Sequence, residues 1–368
     1  MKTLRKLLYG EVIRAIGFVV LGFLSLFFFF DFVDEVKAVG QYAEAGYSLV
    51  RALLYVLLLI PNHLYELMPI AVLIGTIYVM ARLAQSSEYT ILRTSGLDPW
   101  RALKTLLTLG LGFVVLTFAI GDYASPAADR TAQLLKARYT RHISVGQTGA
   151  WLKEKQPYGT YAVNVGQLAA DGSLRKVRIF EFDNRGFLTS MTQADSASIQ
   201  DDESWLLFEA NRTEFATQPG AAAQIERATQ PSLRWPNSIS AEMVSAALLK
   251  PERMNTVDLF QYIQHLHANA QTAQRYEIEF WRKVFYPLSC LVMVVLALPF
   301  AYLHFRAGGI TSYVFGGVMA GISFFLLNNV FGYMGNLRSW EPWLAAALPG
   351  LIYSVLSLTA FAWLVLRR

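Results

Sequence analysis

Long apolar runs, separated by short charged stretches, dominate both ends of the chain, and a polar middle interrupts them. The first run, Ile13 to about Phe32, follows a basic start (Lys2, Arg5, Lys6) and is long enough to cross a hydrocarbon layer of about 30 Å. No small-x-small cleavage pattern follows it, so it reads as a retained helix rather than a signal peptide. It exits into Asp31, Asp34, Glu35 and Lys37. The next run, Leu49 to Ile60, is short: as a helix it rises only about 18 Å. Pro61, Asn62, His63, Glu66 and Pro69 follow, so a break is expected at Pro61. Leu49 to Ile60 is then half-buried or interfacial, and the second span runs from about Leu64 to Leu83. Four more spans follow, at about Ala102–Ile120, Phe285–Tyr302, Ile310–Tyr333 and Pro342–Leu366.

Between Asp122 and about Arg275 the period changes. Short alternating runs appear at 161–165, 176–182 and 204–210, with turn signals at Asp171-Gly172 and Asn184-Arg-Gly186 between them. They predict short strands of an all-β sandwich or barrel-like domain, flanked by helices over 122–139 and 256–279. The expected organisation is residues 1–121 (spans one to three), 122–278 (β domain with flanking helices) and 279–368 (spans four to six). This is a polytopic α-helical membrane protein of six transmembrane helices with an inserted all-β domain. Basic residues at Arg82–Lys104, at Arg306 and at Arg367-Arg368 place both termini in the cytoplasm and the β domain outside it.

The stretch 81–104 carries its own punctuation. Ser86 or Ser87 caps a short helix, Glu88 sits in its first turn, Gly96 stops it, and Asp98-Pro99 starts the next. A short helix held between two spans on the cytoplasmic side is a docking surface for a cytoplasmic partner.

Composition agrees with this picture. The chain is 54% hydrophobic and 16% charged, with a mean hydropathy of +0.34. Its net charge of +5 fits basic cytoplasmic loops and gives no reason to expect nucleic acid as a partner. Cys290 is the single cysteine, so no intramolecular disulfide forms. The sequence has no P-loop, no HExxH and no GxSxG, and His265 and His267 point to different faces of a helix. The cores of spans three to six carry essentially no charge, against an ion-coupled carrier. Asn328-Asn329, the main polar feature there, is expected to bond to a neighbouring helix or internally. With no nucleotide site and no ion relay, but with a cytoplasmic docking helix, the pattern suggests a permease driven by a separate ATPase.

Several residues admit two readings. Lys37 is either an interfacial lysine paired with Asp34 or a contact for an anionic headgroup. Arg306 is either a topology signal or a gate residue. Glu88 is either a capping charge or a partner contact. Phe27, Phe315 and Phe324 either face lipid or line a cavity for acyl chains. Gly308, Gly309, Gly316, Gly317 and Gly321 permit close helix approach and suit a seam.

Five segments then carry a resemblance: Phe32-Val-Asp-Glu35; Pro61 to Pro69; Leu83-Ala-Gln-Ser-Ser-Glu88 with Ser95-Gly96; Trp281-Arg-Lys283 to Pro287; and Gly321 followed by Asn329-Val-Phe-Gly332. In this order, with six spans and an inserted β domain, the chain resembles the lipopolysaccharide export permeases LptF and LptG, the LptG members more closely. The resemblance implies pairing with an LptF-like chain on a dimer of the ATPase LptB, which binds the ATP and Mg; this chain needs no cofactor. It implies a periplasmic β-jellyroll leading to LptC-like and LptA-like bridge proteins, in a Gram-negative inner membrane. It implies an ATPase-coupling helix at about 83–95, through Leu83, Ser87, Glu88, Ile91, Leu92, Arg93 and Gly96. Spans one and five would form lateral gates, and Lys37 would approach the phosphorylated headgroup, with Asp34, Arg306, Phe27, Phe315 and Phe324 along the substrate path. Asp31 and Ala38 stand where the family pattern has further lysines. The competing readings are the sister LptF-like subunit, an ABC-type mechanotransmission scaffold that carries no lipid, and a lipid-modifying enzyme built on the cluster Asp31, Asp34, Glu35, Lys37, His63 and Glu66.

Overall fold

The computed structural model describes residues 2–86, 99–140, 149–156, 159–169, 172–200, 204–216, 224–237, 239–240, 243–244, 247, 251–302 and 310–363. The chain divides into two compact units. One comprises Met1–Glu35, Val56–Ala128 and Glu277–Arg368; the other comprises Val36–Tyr55 and Asp129–Tyr276. The helical unit thus reaches a few residues beyond Ile120, and residues 36–55 group with the strands.

Helix α1 spans Lys2–Gln41, α2 Leu49–Gln85 and α3 Pro99–Ala119. A π-helical turn, Ile120–Ala124, joins α3 to α4, Ser125–Thr140. After the sheet come α5 (Thr256–Ala268), α6 (Gln274–Phe285), α7 (Ser289–Ala297), α8 (Ile310–Leu337) and α9 (Pro342–Phe361). Among the described residues five helices are long and apolar enough to cross a membrane. A pair bent by 47°, Gln274–Phe285 with Ser289–Tyr302, makes a sixth. The bend falls at Pro287, which has no N–H to continue the ladder.

Pro61 does not break α2. The helix runs unbroken through Pro61 and Pro69, so the expected half-span at Leu49–Ile60 is the first part of one 37-residue helix. A proline removes one hydrogen bond, and neighbouring side chains make up for freed backbone groups in a packed membrane helix. The helix expected over 256–279 is instead two. Asn269 ends α5, Ala270 takes a left-handed φ of 50°, and the Gln271 N–H closes back on the Leu266 carbonyl.

The core of the helical unit lies on α2, α3 and α7, with Leu73, Ile77, Met80, Leu106, Met293 and Val294 fully or nearly buried, and α1 adds Leu8, Val12 and Ile16. Small residues set the closest approaches. A Cβ on Gly75 would meet the Ile16 backbone nitrogen at 2.7 Å; Cβ atoms on Gly317 and Gly321 would meet Ile77 and Ile70 at 2.7 and 2.9 Å. Gly317 and Gly321 therefore form a seam inside this chain, between α8 and α2, whereas Gly316 meets nothing within 4 Å.

Among its described residues the second unit holds six antiparallel strands: β1 Ala150–Gln156, β2 Gly159–Leu168, β3 Leu174–Phe182, β4 Leu188–Ile199, β5 Trp205–Ala216 and β6 Gln224–Trp235. They pair strictly in sequence order. The inserted all-β domain is there, as a consecutive meander; Greek-key crossings of a two-sheet jellyroll are not among the described pairings. The sheet nonetheless rolls. Trp235 at the end of β6 sits 5.7 Å from Tyr161 on β2, and the Gln156 amide at the end of β1 donates to the Pro236 carbonyl at 3.2 Å. The bend follows a line of interruptions: Lys176 and Glu209 take positive φ of 54° and 50°, each where the regular pairing skips a residue.

Candidate substrate-facing and coupling surfaces

Two belts of polar contacts lie in the helical unit. The first links five segments. His63 on α2 and Asp31 on α1 are 2.6 Å apart, and Phe27 stacks on the His63 ring at 4.8 Å. Asn62 donates to Glu66 and accepts from Ser125, at 3.0 and 3.1 Å. Lys283, only 5% exposed, donates to the Gly121 carbonyl at 3.0 Å. Arg282 pairs with Glu279 at 3.1 Å and donates to Asn329 at 3.3 Å. The second belt lies at the other ends of α1 and α2, where Arg82 meets Glu11 at 2.8 Å. His63 and Arg82 stand nineteen residues apart on one helix, a rise of about 28 Å. That is comparable with the roughly 30 Å of a bilayer's hydrocarbon core.

Lys283 escaped the sequence reading, although the segment around it was singled out. Its partner explains its burial. The π turn widens the helix at Gly121, the Tyr65 ring packs directly onto that glycine, and the ammonium donates to its buried carbonyl. The Asn328 amide bonds to the Phe324 carbonyl of its own helix at 3.0 Å, while Asn329 engages the neighbouring α6.

Two helices show apolar surface outward. On α8, Phe315, Met319, Ile322, Leu326, Val330 and Tyr333 recur at three- and four-residue steps, each at least 43% exposed. The opposite face carries Gly317, Gly321, Phe324 and Asn328, all buried. The structure thus separates Phe315, on the open stripe, from Phe324, which is 1% exposed and packed against Tyr286 and Tyr353. On α1, Phe18 is 80% exposed, Leu21 66% and Phe29 59%, and Phe27 is half-buried against His63. Asp34 and Lys37 lie one turn apart on the exposed side of α1, beyond Asp31.

Of the expected coupling residues, Leu83 is described; it is buried at the end of α2, and the Ser86 hydroxyl contacts its carbonyl at 3.4 Å. Ser87, Glu88, Ile91, Leu92, Arg93, Gly96 and Arg306 lie outside the described residues.

Two charged belts, up to six spans among the described residues counting the bent pair, and a strand unit inserted between the third and fourth define a polytopic helical permease with an inserted β domain. The profile of the lipopolysaccharide export system permease family LptF/LptG matches residues 6–367, and the chain belongs to that family. It is similar to the lipopolysaccharide export system permease protein LptG of Escherichia coli K12, with 27% identity over 94% of this chain and 92% of that protein. It is also similar to LptG of Haemophilus influenzae, with 26% identity over 100% of this chain and 99% of that protein.

Proposed function

We propose that the chain is the LptG-type transmembrane subunit of an ATP-driven exporter. The exporter takes lipopolysaccharide from the outer leaflet of the inner membrane and hands it to a periplasmic bridge. Family membership over residues 6–367 carries this reading, and the relatives named LptG favour it over the sister LptF role. The layout of the helical unit supports it. Open apolar stripes on α1 and α8 suit lateral surfaces that an acyl-bearing lipid and a second, LptF-like chain would contact. The Asp31–His63 belt is the outer boundary in this reading, with Asp34 and Lys37 just beyond it toward the phosphorylated headgroup. Both termini are cytoplasmic and the β unit is periplasmic, facing LptC-like and LptA-like bridge proteins. ATP and Mg belong to an LptB-like ATPase dimer docked at about 83–95, and this chain performs no covalent chemistry.

Purification of the tagged chain from native membranes in mild detergent tests the assignment. A P-loop ATPase and a second six-span chain are expected to co-purify, and Glu88→Ala is expected to release the ATPase. A chain that comes away alone while export continues would refute the coupling reading.

A further inference from the structure

The β unit carries a groove of about 710 Å³ on the strand face opposite its core, bounded by β1, β2, the β3–β4 turn and the link after α5. Its size is that of a small-molecule site. Three features converge there. The Trp151 ring, 50% exposed, is held by a stack on Phe180 at 5.8 Å, which makes it a rigid platform. Lys153 and Lys155 follow at period two on the same face of β1. Neither ammonium has an ion-pair partner among the described residues. The carboxylate that lines the groove, Asp183, is already engaged: one of its oxygens accepts from the Arg185 and Phe187 N–H groups, each at 2.8 Å, fixing the turn that presents Asn184. Finally, the Gln271 side-chain carbonyl oxygen at the groove wall is buried and has no hydrogen-bond donor among the described residues.

Each feature asks for a different part of one ligand. An aromatic face accepts the C–H face of a sugar ring. Two unpaired ammonium groups favour an anion, most strongly one with several acceptor oxygens. A buried orphan carbonyl wants a donor, which a sugar hydroxyl supplies. We infer that this groove binds a phosphorylated saccharide, with Trp151 under the ring, Lys153 and Lys155 on the phosphate and Gln271 accepting from a hydroxyl. The inference rests on the export reading for the ligand's source: the saccharide portion of the exported glycolipid, held outside the roll while the chain passes it on.

The test uses the full chain in lipid nanodiscs, titrated calorimetrically with deacylated lipopolysaccharide, the soluble phosphorylated saccharide without acyl chains. One saturable site is expected. Lys153→Gln with Lys155→Gln should weaken binding at least tenfold, as should Trp151→Ala, with unchanged melting temperatures because these side chains lie outside the core. Phosphatase treatment of the saccharide should reproduce the loss. Binding that does not saturate, or that ignores the double lysine substitution, overturns the site. So does binding that disappears when the chain is purified within its assembled complex, since a protein segment then fills the groove. ATP-driven release of lipopolysaccharide from proteoliposomes of that complex is measured in parallel. Release without saccharide binding refutes only the groove; saccharide binding without release refutes the export reading and leaves the groove standing.

Discussion

Helices α1 and α2 are nearly the same length, 40 and 37 residues, yet they live in different surroundings. The most apolar window of α1 has a mean hydropathy of 2.4 and is 6% buried; that of α2 has 1.9 and is 83% buried. The more hydrophobic helix is the less enclosed. In water this would be a defect, but in a bilayer lipid is as apolar as leucine, and packing rather than hydrophobicity decides which helix sits inside. The buried α2 is the one that meets glycines: Gly317 and Gly321 of α8 fit its isoleucines, and its own Gly75 admits α1. The exposed α1 meets the rest of the unit through Leu8, Val12 and Ile16, through the Tyr9 hydroxyl on the Thr105 carbonyl, through Phe27 and Asp31 on His63 and through the Glu11–Arg82 pair, and its remaining apolar surface is exposed.

The contrast breaks most completely at Gly75. Gly75→Leu forces atoms into the Ile16 backbone and should cost roughly 3 kcal/mol or more; loss of accumulation in membranes, or a collapsed melting temperature in detergent, would register it. A matched pair on α8 sharpens the distinction between inner and outer faces. Phe324→Ala should destabilise the chain by about 3–5 kcal/mol. Phe315→Ala should change its stability by less than about 0.5 kcal/mol, while weakening co-purification of the partner chain. Equal thermal effects would mean the two faces are not distinct. Lys283→Met removes the donor to the Gly121 carbonyl and should cost about 1–3 kcal/mol, read as a lower melting temperature. The smallest effect lies in the β unit. Burial lowers the pKa of His265, and Glu154 partly opposes this. The unfolded chain therefore takes up more protons as pH falls through the ordinary histidine value of about 6.5. Stability should decline on acidification from there to the lower folded value, and His265→Gln should flatten the decline in a melting series against pH.

Much of this was legible in the sequence because lipid imposes a long apolar period and strands a short one. The spans, the inserted strands at 161–165 and 176–182, and the turns at Gly172 and Gly186 follow from those periods; both glycines take positive φ, 83° and 85°. Strand β4 was not legible, because its inward positions are Ser190, Thr192, Ala194 and Ala197, too small and polar to read as a core face. Nor was β6, whose residues 225–232 are all exposed. Pro61 misled because the cost of one missing hydrogen bond depends on neighbours that a sequence does not display. For the same reason Phe315 and Phe324 looked alike: nine residues apart, they fall on opposite faces, and only the seam at Gly317 and Gly321 decides which face is inside. Lys283 could have been found as a basic residue within a span's first turns, since a charge there needs a named partner.

The central claim is that the outward stripes of α1 and α8 are working surfaces of a lipopolysaccharide permease. A photoreactive residue placed at Phe18 or Phe315, with Ala71 of buried α2 as control, tests it in native membranes. The account predicts crosslinks from Phe18 and Phe315 to a second membrane chain or to lipopolysaccharide, and none leaving the chain from Ala71. Crosslinks from both stripes to phospholipid alone would contradict it.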